Sequence, residues 1–341
     1  MLEGYSVAVV GVGAVGEELL RVLKTTSLPV REIKVLARSS RVVEVDGIKY
    51  TVRETKPEEF EGVDIALFAG TERASELFAK EAVKRGAIVI DNSATFRLEP
   101  DVPLVVPEVN PEDLEWHKGL IANPNCSTIQ MVVALKPLYE RSRIKRIFAA
   151  TYQAVSGTGR DAILELRQQS ILQLIYSEDV KMTNAYPYRI AFNLIPQIGS
   201  FNEFGYTTEE MKMVNETHKI LHDPDIKITA TCVRVPVFNC HSEALYIETE
   251  EKLTADEARE ILRNSPGIKV IDEPSPRSGR SYPMPIDADG KDEVFVGRIR
   301  EDPFVETGLH LWIVADNLRK GAALNAVQIA EEMHRRGLLK R

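Results

Sequence analysis

The sequence predicts an α/β chain of two domains, and three observations carry that prediction. At 341 residues the chain is too long for one small core. Its first third alternates short apolar runs with amphipathic stretches, the rhythm of a parallel sheet covered by helices. After about residue 145 the runs become long and β-branched with fewer helices between them, which suggests a mixed or antiparallel sheet.

Tyr5 to Val10 is the first apolar strand, followed by GVGAVG and the amphipathic EELLRVLKT. Arg31 to Ala37 is the next strand. Arg41–Val45 and Ile48–Arg53 flank Asp46-Gly47, a strong hairpin signal because both turn positions take left-handed backbone. Val63 to Ala69 reads as a buried strand, with a helix over 72–85 and a strand at Ala87–Asp91. Leu120 to Ala122 leads into NPNCST and the apolar run IQMVVALKPL: a strand, a turn and a helix start, with Cys126 at the helix N-terminus. RIFAATYQAV, KITATCVRVPV, CHSEALYIETE, EVFVGRIRED and LHLWIVAD are the long strands that follow. Helices are expected at Asp161–Tyr176 and Thr208–Leu221, and a terminal helix at Asp316–Arg336 that returns to the first domain. Residues 272–292, rich in Pro, Ser, Gly and Asp, read as a long surface loop.

Composition narrows the function classes. A net charge of −8 without a basic stripe argues against a nucleic-acid surface. No segment approaches the 18 or so continuous apolar residues that a membrane helix needs, and the N-terminus reads as a strand and not a signal peptide. Three cysteines without a CxxC suit a reducing cytoplasm, and nothing supplies metal-ligand spacing, so no metal is expected. Cys232 and Cys240 read as packing residues in strands.

Gly11, Gly13 and Gly16 form G-x-G-x-x-G after a strand and at a helix start. Small residues there let the backbone approach a pyrophosphate, and the helix N-terminal N–H groups carry partial positive charge. The placement predicts a Rossmann-type dinucleotide-binding domain contacted through Gly11, Val12, Gly13, Ala14, Val15 and Gly16. The second strand ends without the acidic residue that grips a ribose 2′-OH. It ends instead in Arg38, Ser39 and Ser40, which suit a 2′-phosphate, so NADP(H) is the expected cofactor.

Cys126 gains from the helix macrodipole, which favours thiolate. A thiolate beside a nicotinamide implies a thioester route between aldehyde and acyl group, with water, coenzyme A or phosphate as second nucleophile.

The stretches DNSATFR, PLVVPEVN, NPNCSTIQ, QAVSGTGR, NETHKIL, CVRVPVFNCHSE and ADNLRKGAALNAVQIAE, in that order over nearly the whole length, resemble the aspartate-semialdehyde dehydrogenase family. The resemblance implies NADPH-dependent reductive dephosphorylation of L-4-aspartyl phosphate to L-aspartate 4-semialdehyde, feeding lysine, threonine and methionine synthesis. It implies Cys126 as acyl-thioester nucleophile, Gln153 as the residue orienting the substrate and His241 as general acid/base. Arg234 would clamp the substrate α-carboxylate and Glu216 meet its ammonium. Arg97, Lys219 and Asn125 would hold phosphate. Ser156, Gly157 and Asn317 would contact the cofactor, with Gly159 in the same small-residue loop. It also implies a homodimer, with tetramers known, in which residues 1–125 and a C-terminal helix at 317–341 form the NADP-binding domain. Residues 126–316 would form an α+β catalytic and dimerisation domain.

Taken singly, Arg97 reads as a surface ion pair, Glu216 and Lys219 as a solvated i,i+3 pair, and His241 as a satisfied core histidine. His218 reads as exposed and inconsequential. The glycine turn is one residue shorter than in many relatives, which shifts the register of contacts at Val12 to Val15. The alternative enzyme is an N-acetyl-γ-glutamyl-phosphate reductase, whose acylated substrate nitrogen would leave Glu216 without a partner.

Overall fold

The computed structural model describes residues 4–176, 183–273 and 281–339. The chain divides into two compact units, Met1–Asn125 with Ala322–Arg341, and Cys126–Gly321.

The first unit opens with strand β1 (Tyr5–Val10), helix α1 (Ala14–Val22), β2 (Val30–Ala37) and the hairpin β3 (Arg41–Val45) and β4 (Ile48–Glu54). Asp46 and Gly47 turn that hairpin with φ of 48° and 78°, as their residue types allow. β5 (Ile65–Phe68), α2 (Glu72–Lys84), β6 (Ile88–Asp91) and β7 (Leu120–Ala122) follow. The sheet order is β3-β4-β2-β1-β5-β6-β7, parallel throughout except for β3 against β4. Every residue of β1 is buried, as a central parallel strand covered on both faces requires.

The second unit begins with α3 (Cys126–Arg141) and continues through β8 (Ile144–Gln153), α4 (Arg160–Tyr176), α5 (Thr208–Leu221), β9 (Lys227–Arg234), β10 (His241–Thr249), α6 (Ala255–Arg263), β11 (Ile268–Val270), the short α7 (Pro285–Ala288), β12 (Val294–Glu301) and β13 (Gly308–Ala315). Its sheet is mixed, in the order β11-β12-β13-β10-β8-β9. α3 packs against α5 and against α6, and against β10 and β13. Residues Ile147, Ala149, Thr151 and Gln153 of β8 alternate inward, whereas Phe148 and Tyr152 stay exposed. With Tyr246, His310 and Trp312 they line an apolar face carrying a groove of about 730 Å³.

Helix α8 (Leu324–Arg335) closes the chain and joins the first core through Val327, Ile329 and Met333. It is shorter than the predicted run at 316–336, because a π turn at Arg319–Ala323 precedes it and Asn317 lies outside it. The chain rejoins the first unit at Ala322, not at residue 317. The loop predicted at 272–292 falls partly outside the described residues, and Pro285–Ala288 within it are helical. No helix among the described residues is long and apolar enough to cross a membrane.

Candidate active site

In the first unit the glycines differ in what they do. A Cβ at Gly11 (φ 107°) would lie 2.7 Å from the backbone of Ala69, and one at Gly16 2.0 Å from the Gly11 carbonyl oxygen. Both are needed to close the turn. A Cβ at Gly13 would meet nothing within 4 Å among the described residues; the residue is exposed and N-caps α1 without a side-chain hydrogen bond. The first N–H groups of α1 are thus accessible to an anion, an arrangement that fits a dinucleotide pyrophosphate. Val12 points into the core, while Ala14 and Val15 are half-buried.

Arg38, Ser39 and Ser40 are exposed beyond the C-terminal end of β2. The Ser40 hydroxyl accepts the Glu54 N–H at 3.1 Å, and Arg41 Nη1 donates to the Ser39 oxygens at 3.2 and 3.3 Å. Arg41 is a second cation at this corner. Sequence reasoning passed over it because it opens a hairpin strand.

Arg97 is buried, and its Nε and Nη2 donate to the carbonyls of Asn123 (2.9 Å) and Asn92 (2.7 Å). It is therefore not the surface ion pair that it resembles in isolation. Asn123 bridges Asn92 Oδ1 and the Asn325 amide, which holds the NPN turn, and Asn125 is buried at its end.

The second unit collects its polar residues at one end of three adjacent strands. Gln153 ends β8 and pairs in register with Arg234, which ends β9; His241 begins β10. Gln153, Arg234 and His241 are all buried. Cys126 is the first residue of α3 and half-buried. A Cβ at Gly321 would lie 2.8 Å from the Cys126 Cβ, so only glycine lets the chain pass beside the thiol. Nothing local in the sequence marks that role.

His241 Nδ1 accepts the Ala154 N–H at 3.1 Å. A nitrogen that accepts carries no proton, so the neutral ring has its hydrogen on Nε2. Burial, and then the Arg234 charge, lower the His241 pKa to about 3, with Glu209 opposing them. The expected proton carrier near neutral pH is thus held neutral here, as an Nε2–H donor. That nitrogen and Arg234 Nη1 converge on Gly157, whose Cβ would lie 3.1 and 2.9 Å from them. Gly157 keeps this space open.

Arg234 Nη1 donates to the Ala154 carbonyl at 2.6 Å and the guanidinium lies 6.0 Å from the Tyr186 ring centroid, while its buried Nε has no hydrogen-bond partner among the described residues. The Gln153 amide is held by Thr151 and Glu209. Glu216 is buried on α5, unlike a solvated pair, and Lys219 is half-buried one turn on. His218 is half-buried as well, its Nε2 2.8 Å from the Ile226 carbonyl, so it ties α5 to the start of β9 and is not an idle surface residue.

Asn317 Oδ1 accepts from the Ser156 hydroxyl and from the Cys240 N–H, each at 3.0 Å. It braces the Ser156–Gly159 turn against the residue preceding His241. Cys240 sits at φ 72° before β10 and not within a strand. Its sulfur and the carboxylates of Asp289 and Asp316 lie within 4.8 Å of one another, a grouping that the spacing in sequence does not reveal. The Asp316 oxygens already accept backbone N–H groups of Gly290, Leu318 and Arg319. No disulfide joins the three cysteines.

Comparison with known proteins follows the same division. Residues 6–117 match the family model "Semialdehyde dehydrogenase, NAD binding domain" and residues 135–320 match "Semialdehyde dehydrogenase, dimerisation domain". The chain is 52% identical to aspartate-semialdehyde dehydrogenase of Aquifex aeolicus, covering 98% of this chain and 100% of the relative. It is 48% identical to that of Bacillus subtilis, over 99% and 100%. A crystal structure of aspartate semialdehyde dehydrogenase II from Vibrio cholerae, complexed with ASA, superposes with a TM-score of 0.92 at 45% identity, covering 98% of this chain and 99% of that one.

Proposed function

This chain belongs to the aspartate-semialdehyde dehydrogenase family, and from that premise we propose how its own residues perform the reaction. The activity is NADPH-dependent reductive dephosphorylation of L-4-aspartyl phosphate to L-aspartate 4-semialdehyde in amino-acid biosynthesis. Cys126 Sγ, as thiolate at the start of α3, attacks the acyl carbon. The carbon–sulfur bond forms, the carbon–oxygen bond to phosphate breaks, and inorganic phosphate leaves. NADPH, when bound, supplies the hydride that reduces the resulting thioester. The carbon–sulfur bond of the thiohemiacetal then breaks, which releases the aldehyde and restores the thiolate.

The neutral Nε2–H of His241 donates to the acyl oxygen while negative charge builds on it, and Gln153 orients the acyl group beside the sulfur. One donor of this kind contributes about 10²- to 10³-fold in kcat. Arg234 takes the α-carboxylate with its planar fork, and Glu216 takes the α-ammonium. The residues assigned to the departing phosphate are Lys219, Arg97 and Asn125. Gly11 to Gly16 receive the pyrophosphate, and Arg38, Ser39, Ser40 and Arg41 the 2′-phosphate. Asn317 acts on the cofactor's side by holding the Ser156–Gly157 turn. The observation that carries this reading is the convergence of His241 Nε2 and Arg234 Nη1 on Gly157. The N-acetyl-γ-glutamyl-phosphate reductase alternative is not favoured by the relatives. The chain acts as a homodimer, and the exposed aromatic face of the second sheet is the surface through which we pair it. Unbridged thiols and the biosynthetic role suit the cytoplasm.

The test is NADPH formation from aspartate semialdehyde with and without phosphate, repeated with NAD⁺. Turnover is expected to require phosphate and to prefer NADP⁺. Cys126→Ala should abolish it while nucleotide binding, followed by fluorescence, persists. Turnover in that variant would refute the nucleophile.

A further inference from the structure

We propose that Glu209 is a positioning residue for the reaction: its carboxylate fixes the direction in which Gln153 presents its amide. Glu209 is the second residue of α5 and is buried. Its Oε1 accepts a hydrogen bond from Gln153 Nε2 at 3.1 Å, and its Oε2 lies 3.3 Å from Lys212 Nζ. On the other side of the amide, the Thr151 hydroxyl donates to Gln153 Oε1 at 3.0 Å. A carboxylate accepts and cannot donate, so the Gln153 nitrogen has to face Glu209. A turned amide would set its oxygen against that charge and lose the bond to Glu209, whereas the Thr151 hydroxyl can serve either end of the amide. The clamp leaves Gln153 one N–H and one lone pair for other partners.

The neighbouring acid has a different job. Glu210 closes the α5 capping box by accepting the Thr207 N–H at 2.7 Å, and it also accepts the Cys232 N–H at 3.0 Å. Two adjacent glutamates at one helix start are thus divided between the helix and the site. The clamp is built from two elements, α5 and β8, with Thr151 two residues before Gln153 on the same face of the strand. The proposal rests on Gln153 orienting the substrate, as assigned above.

The test is a double-mutant cycle on the full-length enzyme. Glu209→Gln keeps the shape but can donate or accept, so the Gln153 amide is free to turn. Its kcat is expected to fall about tenfold or more, with KM for aspartate semialdehyde within a few-fold and NADP⁺ affinity unchanged. Thr151→Val removes the opposite anchor and should fall in the same direction; it decides the matter if Glu209→Gln proves insoluble. In a Gln153→Ala background neither substitution should lower kcat further, because both act through that amide. Additive losses, or wild-type kcat in Glu209→Gln and Thr151→Val beside a crippled Gln153→Ala, would overturn the proposal and leave the Gln153 assignment standing. Full activity in Gln153→Ala would overturn both.

Discussion

Glu243 offers a direct measurement of what it costs to bury a carboxyl group in this sheet. It lies on the inward face of β10, two residues beyond His241 and opposite Thr151 of β8, fully buried. Neither of its carboxyl oxygens has a hydrogen-bond partner among the described residues. Burial pushes its pKa well above the ordinary 4.5, against a smaller opposing pull from Gln130. Between those two values the unfolded chain has lost the proton and the folded chain keeps it. Unfolding then releases a proton, so stability falls as pH rises, by about 1.4 kcal/mol for each pH unit in the window. Glu243→Gln keeps the volume and has no proton to lose. The variant should therefore gain on the wild type progressively as pH rises above the unfolded value, for as long as the folded chain keeps the proton. At roughly 2–4 °C per kcal/mol for a unit of this size, the gap between the melting temperatures should widen by roughly 3–6 °C for each pH unit in that window. Circular-dichroism melts of both proteins across that pH range make the measurement. A gap that stays constant with pH would show that the folded protein carries Glu243 ionised, and the reasoning would fail.

Three further outcomes are expected. Asp223, which accepts both arms of the Arg143 fork and the Tyr139 hydroxyl, has its pKa lowered to about 2. Its contribution is present above the unfolded value of 3.8 and is lost as pH falls towards 2. Asp223→Asn should cost about 1–2 kcal/mol at neutral pH in urea unfolding, since Arg143 is partly solvated, and almost nothing near the acid end; a pH-independent cost would contradict the ion-pair account. His241→Asn should lower kcat about a hundredfold with KM within a few-fold, because the donor acts on charge that develops in the transition state; a change confined to KM would remove it from the chemistry. Arg234→Lys should raise KM for aspartate semialdehyde about tenfold, since an ammonium cannot form the planar two-bond clamp, and an unmoved KM would count against it.

The α/β class and the two sheets were legible because their signals are local. Asp46-Gly47 turns a hairpin wherever it occurs between strands, and the long β-branched runs are strands of the mixed sheet. The helix start at Cys126 was legible from a polar turn before an apolar run. What escaped depends on contacts distant in sequence. Glu209 meets Gln153 across 56 positions, and the tautomer of His241 is set by a residue 87 positions away. Gly321 is distinguished only by the thiol that it passes. His218 was misjudged because its partner, the Ile226 carbonyl, belongs to the backbone, and no residue type in the sequence advertises a carbonyl.

The bond from the Ala154 N–H to His241 Nδ1 also bears on how this protein tolerates drift. Its donor belongs to the peptide chain, so a change of side chain at position 154 leaves it in place unless the new residue is proline. Proline alone among the twenty residues lacks that hydrogen, and Ala154 sits at φ −62°, within proline's own range. Every other allele at 154 inherits the same imidazole tautomer, whatever becomes of its side chain.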